Sequence, residues 1–213
     1  LTEPYGLCMF QNADGIQVFV NDTDGRYQQW GLNEIGNSFE SDAPRLSASL
    51  LREFSVPSQP EGCVADDINE HLFLGVEAEG VRVIDARSAA AFELKSIADI
   101  DGVILAKDVE GMALYKDGAQ GYLVVSSQGN YSYAVYDRLP PFSYRGSFVV
   151  GSNELTGIDG SQETDGLAIN SQLRTADFPR GLLVVQDGYN TRPTQPQNFK
   201  YISWEKIEEA LSL

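Results

Sequence analysis

Histidine is almost missing from this 213-residue chain: His71 stands alone. A mechanism that needs two imidazoles, or a phosphohistidine with a second histidine, is therefore excluded within it. Cysteine is nearly as scarce, with Cys8 and Cys63 only. Two cysteines cannot build a disulfide framework, and no C-x-x-C pair is present to hold zinc. Neither opens a C-x5-R phosphatase loop, because Asp14 and Asn69 stand where the arginine would be. No apolar run approaches the roughly 18 residues of a membrane span. Basic residues are few, 15 against 31 acidic ones, for a net charge of −16. Nucleic acid and anionic membranes are poor partners for such a surface, since phosphate contacts need positive charge. The N-terminus, Leu1-Thr2-Glu3-Pro4-Tyr5, has neither an initiator Met nor a basic and apolar leader. The expectation is a chain processed or incomplete at that end.

What remains is an ordinary folded composition, 42% hydrophobic and 22% charged, arranged as a repeat. Tyr5-Gly6-Leu7-Cys8-Met9-Phe10 returns as Glu61-Gly62-Cys63-Val64-Ala65-Asp66, as Glu110-Gly111-Met112-Ala113-Leu114-Tyr115 and as Asp165-Gly166-Leu167-Ala168-Ile169-Asn170, at steps of 56, 49 and 55 residues. Each copy precedes a second apolar run (Ile16–Val20, His71–Gly75, Gly121–Val125, Gly181–Val185) and a polar, Gly-containing turn. A third run then follows, as in Val81–Asp85 and Ser132–Asp137, delayed in the last copy to Phe199–Trp204. Short β-rich runs between turn residues predict antiparallel meanders. About 50 residues per meander is the size of a β-propeller blade. The expected fold is thus all-β, a propeller of four-stranded antiparallel blades with about four in this chain. It forms one domain over residues 1–213, with helix confined to Trp204–Leu213, where Ile207, Ala210 and Leu211 recur at helical spacing.

The first strand of a blade lines the central channel, so residues at one repeat position point to one part of its axis. Here they are Tyr5, Glu61, Glu110 and Asp165. Asp108 lies two places before Glu110, on the same face of its strand. So many carboxylates can be a solvated acidic surface, or they can converge on cations. A single acid-Gly dipeptide is a turn signal. Three of four at repeat register, each ahead of an apolar run, favour a metal-bearing channel. Its ligands repel unless a cation compensates, and an all-oxygen set selects a hard ion such as calcium. Other motifs fail sooner. Asn21-Asp22-Thr23-Asp24-Gly25 has Val20 and Gly31 at the first and twelfth positions of an EF-hand loop, so a hairpin turn is expected there. Gly160 to Gly166 lacks a P-loop lysine.

The ordered set Glu3-Pro4-Tyr5-Gly6-Leu7-Cys8, Pro60-Glu61-Gly62, Ala65-Asp66-Asp67, Asp108-Val109-Glu110-Gly111 and Ser126-Ser127-Gln128-Gly129-Asn130 resembles the β-propeller phytases. The resemblance continues through Glu163-Thr164-Asp165-Gly166, Gln186-Asp187-Gly188-Tyr189-Asn190 and Gln197-Asn198-Phe199-Lys200. It implies a six-bladed, calcium-dependent phosphoric monoester hydrolase that releases phosphate from phytate, myo-inositol hexakisphosphate, by metal-activated water. Several calcium ions would sit on Glu61, Glu77, Asp108, Glu110 and Asp165, beside Tyr5, which would contact substrate phosphate. A separate structural calcium would draw on Asp159, Asp187 and Asn190. Bridging calcium would also neutralise an anionic substrate against an anionic protein.

Two positions depart from the family pattern. Thr23 stands where a phosphate-binding lysine is usual, with Arg26 close enough in sequence to substitute. Tyr189 replaces a metal-site glutamate. The family's early region, with further metal and phosphate ligands, is absent from these 213 residues, so the isolated chain is expected to bind calcium weakly and turn over poorly. A monomer in a secreted or periplasmic setting is expected, an oxidising compartment that would permit Cys8 and Cys63 to pair. Competing readings are a non-catalytic calcium-binding propeller, with Tyr131, Tyr133, Tyr136 and Tyr144 as an aromatic rim, a lactonase-type propeller hydrolase, and a degenerate paralogue.

Overall fold

The computed structural model describes residues 1–38 and 41–213. The strands come in chain order as four meanders. Sheet 1 is β1 (Pro4–Asn12), β2 (Gly15–Asp22), β3 (Arg26–Ser38) and β4 (Ser41–Ser55), and sheet 2 is β5 (Pro60–Asp66), β6 (His71–Val76), β7 (Gly80–Asp85) and β8 (Lys95–Asp99). Sheet 3 is β9 (Val109–Asp117), β10 (Gln120–Ser127), β11 (Ser132–Asp137) and β12 (Tyr144–Phe148), and sheet 4 is β13 (Leu167–Asn170), β14 (Leu182–Asp187) and β15 (Asn198–Ser203). Every neighbouring pair is antiparallel. Four strands per unit hold for the first three sheets. The fourth has three among the described residues, because β15 runs directly into helix α1 (Trp204–Leu211) instead of turning back.

The sheets pack face to face, with one apolar core at each junction. Between sheets 1 and 2 lie Phe10, Phe19, Tyr27 and Phe54 against Leu72, Leu74 and Ile84. Between sheets 2 and 3 lie Phe73, Val81 and Val83 against Met112, Leu123 and Tyr136. Between sheet 3 and the last unit lie Tyr115, Tyr133 and Val135 against Leu183, Trp204 and Ile207. β6 is therefore apolar on both faces, and Leu72, Phe73, Leu74 and Val76 are all fully buried. A strand sandwiched between two cores reads as a continuous apolar run rather than an alternating one. Sheet 1 shows the contrast: in β1 Cys8 and Phe10 are buried while Leu7 and Met9 are exposed. In α1, Trp204 stacks on Tyr115 at 4.0 Å between ring centroids and closes the last core.

A disulfide and a buried ion pair are among the links that cross the junctions. Cys8 and Cys63 form a disulfide between β1 and β5, so the pairing left open by spacing is made. Arg138 and Asp66 form a fully buried ion pair between sheets 3 and 2. Arg138 also donates to the carbonyls of Gly118 and Gln120 at 2.8 and 2.9 Å. Its donors are thus distributed over three partners, as burial of a guanidinium requires.

Candidate functional site

The repeated acid-Gly dipeptide is the point where the inner strands depart from regular pairing. The register slips between Pro4 and Leu7 in β1, between Pro60 and Cys63 in β5, and opposite Val125/Ser127 in β9, across Glu110 and Gly111. Tyr5-Gly6, Glu61-Gly62 and Glu110-Gly111 are therefore bulge residues in three consecutive sheets. A bulge re-aims a side chain that regular pleating would send elsewhere. It is not the turn that acid-Gly ordinarily signals.

The glycine has a second task. A Cβ on Gly62 would lie 2.6 Å from the Glu110 carbonyl oxygen and 2.8 Å from Gly111 Cα. One on Gly111 would lie 2.7 Å from the Asp165 carbonyl oxygen, and the Gly111 amide donates to that same oxygen at 3.1 Å. Each inner strand thus touches the next at its glycine, and the residue before each glycine is drawn toward its counterpart. Asp108, at φ +64°, adopts a left-handed conformation uncommon outside glycine. It lies just before β9, outside the strand, so the strand alternation expected to place it on the face of Glu110 does not apply.

The electrostatics report the convergence. Glu61 is buried. Burial raises its carboxyl above the usual range, a hydrogen bond from Gln59 at 2.6 Å offsets part of this, and the charges of Glu77 and Asp108 raise it further. Glu110 is pushed up to about 7, first by burial and then by Glu61, Asp165, Asp108 and Glu77. The charges named all carry the same sign as its own. Asp165 is raised by burial and by Glu163, against a hydrogen bond donated by Gln128. The exposed Tyr5 phenol is raised by the Glu61 charge first, then by burial and by Glu110 and Asp165. Tyr5, Glu61, Glu77, Asp108, Glu110 and Asp165 thus share one field.

They do not yet share a coordination shell: no three His, Cys, Asp or Glu side chains among the described residues stand close enough together to hold an ion. The donor set nonetheless fits a hard cation. It is all oxygen, and a positive ion would relieve the repulsion that raises Glu110.

The remaining expected site residues stand elsewhere or are engaged. Arg26 donates to Asp24 at 2.7 Å and lies 3.3 Å from Asp22, so its guanidinium already faces two carboxylates. Thr23 donates to Glu3 at 3.2 Å. The Asn21–Gly25 segment is a hairpin turn, with the Gly25 amide donating to the Asp22 carbonyl. Asp159, Asp187 and Asn190 do come together, around the Lys200 ammonium, at 2.5, 3.0 and 3.2 Å. Tyr189 is 54% exposed beside that cluster. The aromatic rim does not form: Tyr133 and Tyr136 are buried in separate cores, and only Tyr131 and Tyr144 reach solvent.

Sequence reasoning missed Gln59, and it placed Gln128 and Glu163 inside motifs without assigning them a role. The amides supply donors to Glu61 and Asp165, and Glu163 accepts from the Tyr131 hydroxyl at 3.1 Å. Gln128 lies inside a quoted motif, but nothing in its spacing says which carboxylate it serves. A cavity of about 640 Å³ lies away from this field, against β12, β15 and α1, and is lined by Phe148, Ile158, Tyr201 and Ile207. Among the described residues no helix is long and apolar enough to cross a membrane.

A family model described as Phytase matches residues 1–212. The 3-phytase of Bacillus subtilis (strain 168) is 32% identical over 216 residues, covering 99% of this chain and 54% of that protein. The chain thus spans about half the length of this curated relative. A solved structure, Structure of U3-55K, aligns with a TM-score of 0.47 and 14% identity over 90% of this chain and 50% of that one, a likeness too slight to carry an argument.

Proposed function

The chain belongs to the phytase family, and from that premise we propose that it carries one side of the active site of a calcium-dependent phytate hydrolase built as a β-propeller. The observation that carries the reading is the run of bulges that sets Tyr5, Glu61 and Glu110 at the same place in three consecutive inner strands, where burial first, and then Glu61, Asp165, Asp108 and Glu77, push the Glu110 carboxyl up to about 7. Calcium bound there would polarise phosphoryl oxygens and lower the pKa of a bound water. Glu61, Glu77, Asp108, Glu110 and Asp165 would hold the ions. Gln59 and Gln128 orient two of those carboxylates by hydrogen bonds, and Tyr5, exposed at the rim, would contact a substrate phosphate.

Sheet packing supports the propeller reading. Gly6, Gly62 and Gly111 each abut the neighbouring inner strand or its side chains, whereas a Cβ on Gly166, fourth in the series, would meet nothing within 4 Å. In a six-bladed ring the next inner strand would lie against that glycine. Exposed Leu7 and Met9 on sheet 1, and Phe199 and Tyr201 on β15, would then lie under further blades. The disulfide agrees with a secreted or periplasmic setting. Arg26, held by Asp22 and Asp24, is a weaker candidate for the substrate cation than its position in sequence suggested.

The test is phosphate release from phytate, in calcium and in chelator, by this chain and by a form extended upstream to the length of the B. subtilis relative. The reading predicts calcium-dependent release that is weak in the 213 residues and strong in the extended form. Equal release in chelator, or none from either length, would overturn it.

A further inference from the structure

The second set of predicted calcium ligands does not fit a calcium ion as it stands. We infer that Lys200 is the resident cation of this cluster, an internal ammonium doing structurally what the family resemblance assigns to a divalent ion. Lys200 lies in β15 between Phe199 and Tyr201, which are 64% and 67% exposed, while Lys200 itself is 6% exposed. Its Nζ reaches Asp159 Oδ1 at 2.5 Å, Asp187 Oδ2 at 3.0 Å and Asn190 Oδ1 at 3.2 Å. Three oxygens surround a group that carries three N–H donors.

The rest of each carboxylate is also used. Asp159 Oδ2 accepts from the Thr191 amide at 2.5 Å, the Thr191 hydroxyl at 2.9 Å and the Arg192 amide at 3.3 Å. Asp187 Oδ1 accepts from the Gln162 amide at 3.1 Å and the Tyr189 amide at 3.3 Å. Asp187 Oδ2 has no hydrogen bond of good geometry, and the ammonium is its charge partner. Calcium takes six to eight oxygens, and these two carboxylates turn one oxygen each to backbone amides and the other to the ammonium. An incoming ion would have to displace the Lys200 ammonium from both carboxylates and find further oxygens to complete its shell.

The arrangement ties three stretches of chain together without metal. The loop before β13 contributes Asp159 and Gln162, the end of β14 and its turn contribute Asp187 and Asn190, and β15 contributes Lys200. The Gly188 amide adds a bond to the Gln162 carbonyl at 2.8 Å. Tyr189, standing where the family pattern has a metal-site glutamate, is consistent with a cluster whose charge is already met.

The inference does not rest on phytate hydrolysis, and its test reads no activity. The ammonium ¹H–¹⁵N signal of Lys200, assigned by its loss in Lys200→Arg, is followed through a calcium titration of the 213-residue protein. It should be present in chelator and unmoved by calcium; a signal that shifts or vanishes as calcium is added overturns the inference. Calcium stoichiometry by calorimetry supplies an independent arm. Asn190→Ala, the mildest change to the cluster, and Asp159→Asn should each leave the number of bound ions as in the wild type. Loss of one ion from Asn190→Ala, with the fold intact by circular dichroism, would assign the cluster to calcium instead.

Discussion

Glu110 keeps its proton to about pH 7 because burial and four neighbouring carboxylates all disfavour its charge. The folded-state value lies above the ordinary glutamate value of 4.5, so folding favours the protonated form. In chelator, the stability this group contributes is fully present below about pH 4.5 and is lost as pH rises through about 7. Glu110→Gln should flatten that decline in thermal unfolding scans across the same interval. Calcium affinity should run the opposite way, weakening as protons return below pH 7, and a calorimetric pH series checks it. Asp66 behaves inversely. Burial raises its carboxyl, but the Arg138 hydrogen bonds, with those of Asn69, outweigh burial and hold it below the usual range. Its contribution is present above the ordinary value of 3.8 and is lost as pH falls through the folded one. Arg138→Met strands a buried carboxylate at neutral pH and should cost about 3–5 kcal/mol in denaturant unfolding.

At the scale of the strand, the acid-Gly dipeptide combines a bulge with a close approach between sheets. Gly111→Ala puts a Cβ 2.7 Å from the Asp165 carbonyl oxygen, and backbone cannot yield as a side chain can. A loss of roughly 1–3 kcal/mol is expected, as for overpacking of a core, together with weaker calcium binding as the Asp165 strand shifts. Much of this was legible in the sequence. The repeat register, the apolar runs and the terminal helix are local patterns, and they marked the inner strands and the acid-Gly dipeptides at their ends. The bulge was not legible, because register belongs to a pair of strands and a single strand carries no sign of it. The end of the last sheet was legible in part, since a helix was expected directly after the late Phe199–Trp204 run, although four strands were expected for each blade. Lys200 stood inside the Gln197-Asn198-Phe199-Lys200 motif, but its partners were not legible. Its partner Asp159 lies 41 residues away, and a lysine between two aromatic residues on an edge strand reads as solvent-facing.

At the scale of the molecule, each sheet contributes to a core with its neighbour, and the disulfide staples the first such junction. Cys8–Cys63 closes a separation of 55 residues, for which the loop-entropy account gives roughly 4 kcal/mol. The double variant Cys8→Ser/Cys63→Ser should unfold at correspondingly lower denaturant. The sequential packing also makes a prediction that differs between chain lengths. Gly166→Ala meets open space here and should be nearly silent in the 213 residues, yet destabilising in the form extended to the length of the relative, if another inner strand lies against it. The central claim is that the carboxylates of successive inner strands form one calcium site. The most direct measurement is a calcium titration by calorimetry on the extended protein, wild type against Glu110→Gln, at a pH above 7. The account predicts that the substitution removes or weakens at least tenfold one or more of the binding events. Identical isotherms for the two proteins would contradict it.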